Sequence, residues 1–298
     1  MTQLPPSSLV ISSRNRHALL KATVQSVLSA SMLPTELIIV DQSDAPAADL
    51  TQLRHPACEI RYLWTKTVGA SKGRNYGAAQ ASHPLIAFID DDMQVAEDWY
   101  EPLIRALVDA GAGAAVTGRV LAGQPEGVNG FVIAVHAWEE PRVYAGRIGR
   151  DILATGHMAL HRSTLDLVGG LDERLGPGTR FPGAEDNDLG FRLLEAGCHI
   201  VYVPTSVIYH RAWRTTALYV PLFWNYGRGQ GAFYAKHLTP RDLYMLWRLR
   251  KDLVRYLRLL PQRVRRRQLL QLAGSTASIL GTFAGGAQWL LTMRPERA

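Results

Sequence analysis

The chain has 298 residues, 47% of them hydrophobic and 20% charged, which excludes a disordered, collagenous or rod-like protein and suits one sizeable core plus an appendage. Its net charge of +7 is unevenly placed: residues 241–298 hold twelve Lys and Arg against three Asp and Glu, whereas residues 1–240 hold 21 against 23. The basicity therefore describes one terminal segment and not the surface of the main domain, so it gives no reason to expect a nucleic-acid partner for the body.

Cys58 and Cys198 have no metal-ligand or disulfide spacing, so a reducing compartment is expected. Met1 to Ser8 lack a positive stretch and precede an apolar run of only three residues, Leu9 to Ile11; the expectation is a chain that starts in the cytosol without a leader. From Leu9 the pattern reads strand, then a helix through Leu19, Leu20, Val24, Val27 and Leu28, then a buried strand Leu37–Val40 ending in Asp41. A third strand, Ile60–Trp64, is followed by a glycine-bearing segment, a helix through Ala78 to Ala81, and a fourth strand, Leu85–Ile89. Apolar strands alternating with helices predict a mostly parallel α/β sheet covered on both faces. Ligands then bind beyond the carboxyl ends of the strands, where Asp41 and Asp90-Asp91-Asp92 fall.

Residues 111–154 contain short β-like stretches whose order the sequence does not give. Beyond them come a short helix Ser163–Val168 stopped by Gly169-Gly170, and a flexible Gly/Pro loop from Leu175 to Gly183. A helix from Glu185 to Ala196 and a strand from His199 to Val203 follow, with a boundary expected between His210 and Pro221.

Three aspartates at the end of a buried strand are costly unless a cation shares their charge, and oxygen ligands suit Mg²⁺ or Mn²⁺. The competing reading is a solvated acidic turn. A second cluster, Glu185, Asp186 and Asp188, opens a helix; Asp188 fits simple complementation of the helix dipole, while Glu185 or Asp186 suits a general base. Lys72 and Arg74 lie in Gly69–Gly77, a segment that lacks P-loop spacing but sets cations near the aspartates. His210 is a candidate third metal ligand beside Asp92.

Taken in order, six segments resemble family 2 glycosyltransferases of GT-A fold: Leu9 to Arg16, Ile38 to Ser43, Gly69 to Gly77, Ala87 to Asp92, Gly169 to Glu173, and Ala184 to Arg192. The resemblance covers about residues 7–215 and implies a nucleotide-diphosphate-sugar donor. It implies donor contacts from Ser12, Arg14, Asp41, Lys72, Arg74, Asn75, Asp90 and Asp91, a divalent metal held by Asp90, Asp92 and His210, and an acceptor base at Asp186, with Glu185 the alternative. A base that activates the acceptor for direct attack implies inversion. The chain departs from the family pattern at Gln42, where a second acidic residue is common, and at Gly156-His157, where many relatives have Asn. No QxxRW element occurs, so a single sugar per encounter is expected.

The division expected is a catalytic domain at 1–215 and a basic helical region at 216–298. Between Leu243 and Leu260 leucines recur at helical spacing among arginines, a basic amphipathic helix. Arg263, Arg265, Arg266 and Arg267 follow, then an uncharged stretch from Gln268 to Met293 whose Ser, Thr and Gln favour a shallow interfacial helix over a full span. The expected partners are a nucleotide-sugar, a glycan or lipid-linked acceptor of cell-envelope polysaccharide synthesis, and an anionic membrane reached through residues 243–293; nucleic acid is not expected. That places the chain on the cytoplasmic face of the cell membrane. Two other functions fit the same features: nucleotidyl transfer to a sugar phosphate, and an inactive nucleotide-sugar-binding scaffold.

Overall fold

The computed structural model describes residues 4–125, 130–211 and 213–293, so part of the Met1–Ser8 segment read above lies outside the described residues. In chain order the elements are β1 (Ser7–Ser13), α1 (His17–Leu28), β2 (Glu36–Asp41), α2 (Ala48–Thr51), β3 (Glu59–Trp64), α3 (Ala70–Gln80), β4 (Leu85–Asp90), β5 (Met93–Val95), α4 (Tyr100–Ala110) and β6 (Ala114–Ala122). They continue with β7 (Gly130–Phe131), β8 (Arg142–Ala145), β9 (His157–His161), α5 (Arg162–Leu167), α6 (Glu185–Glu195), β10 (His199–His210) and β11 (Arg214–Thr215). A 3-10 turn at Thr216–Leu218 and three helices complete the described residues: α7 (Tyr219–His237), α8 (Tyr244–Arg265) and α9 (Leu269–Thr292).

The main sheet has the order β3-β2-β1-β4-β9-β6-β10-β5, with β8 also paired to β10. The strands β3, β2, β1 and β4 are parallel, β9 runs antiparallel between β4 and β6, and β10 is parallel to β6. Each central strand is apolar on both faces, and side chains alternate strictly. Leu9, Ile11, Leu37, Ile39, Ala87 and Ile89 join one core with α1 and α4, while Val10, Ile38, Val40, Ile86 and Phe88 join a second with α3 and α6. The register Ser12↔Asp90 and Ser13↔Asp41 brings three carboxyl ends to one level. That common edge is where the sheet holds ligand-facing side chains.

Several sequence expectations change. The glycine-bearing segment is already helix from Ala70, because Gly73 and Gly77 let α3 lie directly on the sheet: a Cβ at either would come within 2.8 Å of Ser12 Cβ or 2.4 Å of Val10 Cγ1. Strand β10 does not stop at Pro204 but continues to His210, its register shifting between Val203 and Val207 to pass the proline. His210 thus ends a strand rather than following a link. The Leu175–Gly183 loop is pinned, with Ala70 N–H donating to Pro177 O (3.0 Å) and Ser71 Oγ to Leu175 O (2.9 Å). Helix α8 runs past Leu260 to Arg265, carrying Pro261 within it.

Candidate active site

A cleft of about 450 Å³ opens at the carboxyl edge. Of the residues expected to bind donor or act in catalysis, Ser12, Arg14, Arg74, Asp90, Asp91 and Glu185 line it, joined by Arg16, Gln42 and Arg214. Arg74 is delivered by α3, Asp90 by the end of β4 and Glu185 by the start of α6. Ala184, just before α6, adopts a left-handed conformation (φ 66°), a strained backbone for a residue with a Cβ and a kind of strain that gathers at functional positions.

Arg74 is buried and ion-paired to Asp90, while its Nε and Nη1 lack hydrogen-bond partners. Burial works against its charge, and Asp90, Glu185 and Asp186 more than offset that. One guanidinium thus serves three carboxylates. Burial, reinforced by Asp186 and opposed by Arg74, pushes the Glu185 carboxyl up to about 8. Burial also raises Asp186, against the pull of Arg74 and of Thr155, whose N–H (3.2 Å) and hydroxyl both donate to Asp186 Oδ1. Asp186 is not among the residues lining the cleft; the neighbouring Asn187 donates to Gln230 Oε1 on α7 (2.7 Å).

The three aspartates part ways. Asp91 turns inward, accepting from Ser13 Oγ (2.6 Å) and from Arg16 Nε (3.1 Å) and Nη2; burial pushes it up to about 6, with Arg16 opposing. Asp92 accepts from Arg16 Nη1 (2.8 Å) through Oδ2, and its buried Oδ1 has no hydrogen-bond donor. His210 Nε2 lies 3.4 Å from that oxygen, and His210 Nδ1 donates to Ile133 O (2.8 Å). With the ring proton on Nδ1, a neutral His210 turns a lone pair toward an orphan carboxylate oxygen. That arrangement is repulsive unless a proton or cation shares the space. The Asp92–His210 pair therefore fits two positions around a divalent cation that takes both oxygen and nitrogen ligands.

Asp90 does not join them. Its Oδ1 is taken by Arg74 and its Oδ2 packs on Gly156, where a Cβ would lie 2.3 Å away. Among the described residues no three His, Cys, Asp or Glu side chains form a group that could hold a metal ion; of the expected ligands, Asp92 and His210 are paired and Asp90 is held by Arg74. Other expected donor contacts are also occupied. Asp41 is fully buried, accepting from Ser43 N–H (2.9 Å) and the Tyr62 hydroxyl, and Gln42 faces the cleft instead. Asn75 braces Leu171, donating to its carbonyl and accepting from its N–H at 2.9 Å each. Lys72 is half-buried on the first turn of α3, outside the lining.

Asp188 does more than complement a helix dipole. Buried at the base of α6, it accepts from Arg192 Nε (2.8 Å), Lys236 (2.5 Å) and His237 (2.7 Å), and Lys236 also reaches Asp172 (2.6 Å). Reading the sequence missed this latch, and it missed Arg16 and Arg214. Arg16 was visible only as the last residue of the first motif, and nothing in spacing distinguishes a loop arginine that turns inward from one that does not.

A mixed sheet with this order, and an acidic cleft at the ends of its parallel strands, define the GT-A fold. Residues 8–165, just over half of the chain, match the family model described as glycosyl transferase family 2, and the chain belongs to that family. It is 28% identical over 230 residues to the uncharacterized protein y4gI of Sinorhizobium fredii, a match covering 70% of this chain and 25% of that protein. It is 27% identical over 192 residues to the pre-mycofactocin glycosyltransferase of Mycobacterium tuberculosis, covering 61% and 39%. The chain thus spans less than half the length of these relatives. Among solved structures, a mannosyltransferase from Pyrobaculum calidifontis in complex with GDP-Man and Mn²⁺ superposes with a TM-score of 0.63 at 15% identity, covering 95% of this chain and 88% of that one.

Proposed function

We propose that the chain is an inverting, divalent-metal-dependent glycosyltransferase that moves one sugar from a nucleotide-diphosphate-sugar to a lipid-linked or surface-glycan acceptor. The observation that carries this reading is the buried Asp92 Oδ1, which lacks a hydrogen-bond donor and lies 3.4 Å from His210 Nε2, next to a cleft lined by Asp90, Asp91 and Glu185 with Arg74 among them. Family membership favours sugar transfer over nucleotidyl transfer.

Arg14, Arg16 and Arg214 supply positive charge along the cleft for a diphosphate, and Asp90, which lines the cleft beside Arg74, would accept from ribose or sugar hydroxyls. A Mg²⁺ or Mn²⁺ ion held by Asp92 and His210 would neutralise charge on the leaving diphosphate. Inversion requires the base to stand opposite the leaving group. In this reading Asp186, one oxygen of which is held by Thr155, is the base on the acceptor side, and Glu185, which lines the cleft, faces the donor. Protonated near neutrality, Glu185 can donate to the donor sugar without adding charge.

A panel of nucleotide sugars, each with and without Mn²⁺, should raise the thermal midpoint only for the cognate base and only in the presence of metal. Asp92→Asn should lose the metal-dependent part of that shift, and Asp186→Asn should keep it while losing transfer by about 100-fold or more. No response to any donor, or full turnover by Asp186→Asn, would defeat the assignment.

A further inference from the structure

Helix α9 carries no Asp, Glu, Lys or Arg between Leu269 and Thr292. Its small residues face α7 at backbone contact: a Cβ would lie 1.9 Å from Thr282 O at Gly231, 2.4 Å from Trp224 O at Gly281 and 2.0 Å from Arg228 O at Gly285. The glycines that sequence alone would give to a membrane helix are therefore spent inside the protein. The opposite face is bare. Leu269, Leu280, Phe283 and Leu290 are 56–71% exposed and recur at helical spacing, a stripe roughly 30 Å long at 1.5 Å per residue.

Helix α8 lies alongside and extends that surface. Leu246 and Trp247 are about half exposed, and Leu246 and Leu249 border an apolar groove of about 280 Å³ with Phe283 and Leu290. Around the apolar area stand exposed cations, Arg250 and Arg258 on α8 and Arg265, Arg266 and Arg267 at its end, against a single acid on α8, Asp252, which the Tyr234 hydroxyl engages.

We propose that the α8–α9 face docks on an anionic lipid bilayer, the α9 stripe entering the boundary between headgroups and acyl chains and the arginines meeting headgroup phosphates. Charge complementarity selects this occupant. A second copy of the chain would bring two tails of like charge together, and nucleic acid would leave an uncharged leucine stripe uncovered. Attachment is peripheral, since among the described residues no helix is long and apolar enough to cross a membrane. The inference rests on the tail alone and stands apart from the transfer reaction.

The test uses the full chain in co-sedimentation with phosphatidylcholine vesicles prepared with and without phosphatidylglycerol, at low and high salt. The wild-type protein should pellet with the anionic vesicles and be partly released by salt. Leu280→Glu combined with Leu290→Glu should weaken that binding by at least about ten-fold. Arg258→Glu with Arg266→Glu should abolish the preference for anionic lipid. All these positions are exposed, so thermal midpoints should match wild type. The proposal is overturned if the wild-type chain stays in the supernatant with anionic vesicles at low salt, or if both variant pairs pellet as it does. It is equally overturned if light scattering finds a dimer that Leu290→Glu dissolves, which would assign the stripe to a second copy.

Discussion

Arg74 sits among Asp90, Glu185 and Asp186, and the shortage of positive charge there has a measurable sign. An unfolded glutamate titrates near 4.3, so a folded value of about 8 means that the native state holds this proton more tightly. The stabilisation is fully present below about pH 4 and is lost as pH rises toward 8. Glu185→Gln, which cannot ionise, should therefore melt progressively higher than wild type as pH climbs from about 5 to 9, with no gain at pH 4. A difference in midpoint that is constant across pH would refute the high value. His157 illustrates the opposite sign. Burial holds its imidazole at about 3, so the stability it confers falls away as pH drops below about 6.5, where the unfolded ring takes a proton. At this scale the sequence was legible wherever charge density alone is informative: the three aspartates, the Glu-Asp pair, Arg74. It was misleading for Asp41 and Asn75, whose polar atoms are used up by backbone and hydroxyl partners that no motif records.

Elements carry the next set of consequences. Helix α6 presents Glu185 toward the cleft, Asp186 toward Thr155 and, two residues later, Asp188 toward α7, so one helix joins site and tail. Asp188→Ala would leave Lys236, His237 and Arg192 facing one another without their shared carboxylate. The expected cost is about 3–5 kcal/mol in denaturant unfolding, and a change below about 1 kcal/mol would show that solvent replaces the latch. At the α7–α9 contact, Gly231→Ala must push Thr282 O away from 1.9 Å and should cost about 1–3 kcal/mol, whereas Ala273→Gly on the exposed side of α9 should cost no more than about 1 kcal/mol. Strands β1, β2, β3 and β4 could be read in advance because each is built on a short, mainly apolar run. Strand β9 could not. Five residues between two other strands have no period of their own, and Gly156-His157 reads as a departure from a motif until its neighbour Asp90 is seen packed against it.

Over the whole molecule, the basic segment read from composition, residues 241–298, forms α8 and α9, while α7 belongs by charge count to the near-neutral part that also carries the mixed sheet and its cleft. The path from the cleft to the C-terminal helices was not legible, because it runs through single side chains, Asn187 to Gln230 and Asp188 and Asp172 to Lys236. These buried links predict one cooperative thermal transition reported alike by near- and far-ultraviolet circular dichroism; two separated transitions would mean that sheet and tail melt independently.

The pairs Gly227 with Ser278 and Gly231 with Thr282 advance together along both helices, so α7 and α9 run parallel, and α8 is the return leg between them. During synthesis at roughly 10 residues per second, α7 must then wait about 5 s for a partner some 50 residues downstream. Until α9 emerges, the glycine face of α7 has nothing to lie against. The brace behind α6 is thus among the last parts to set, and a nascent chain has its sheet and acidic residues in place before the support that fixes their spacing.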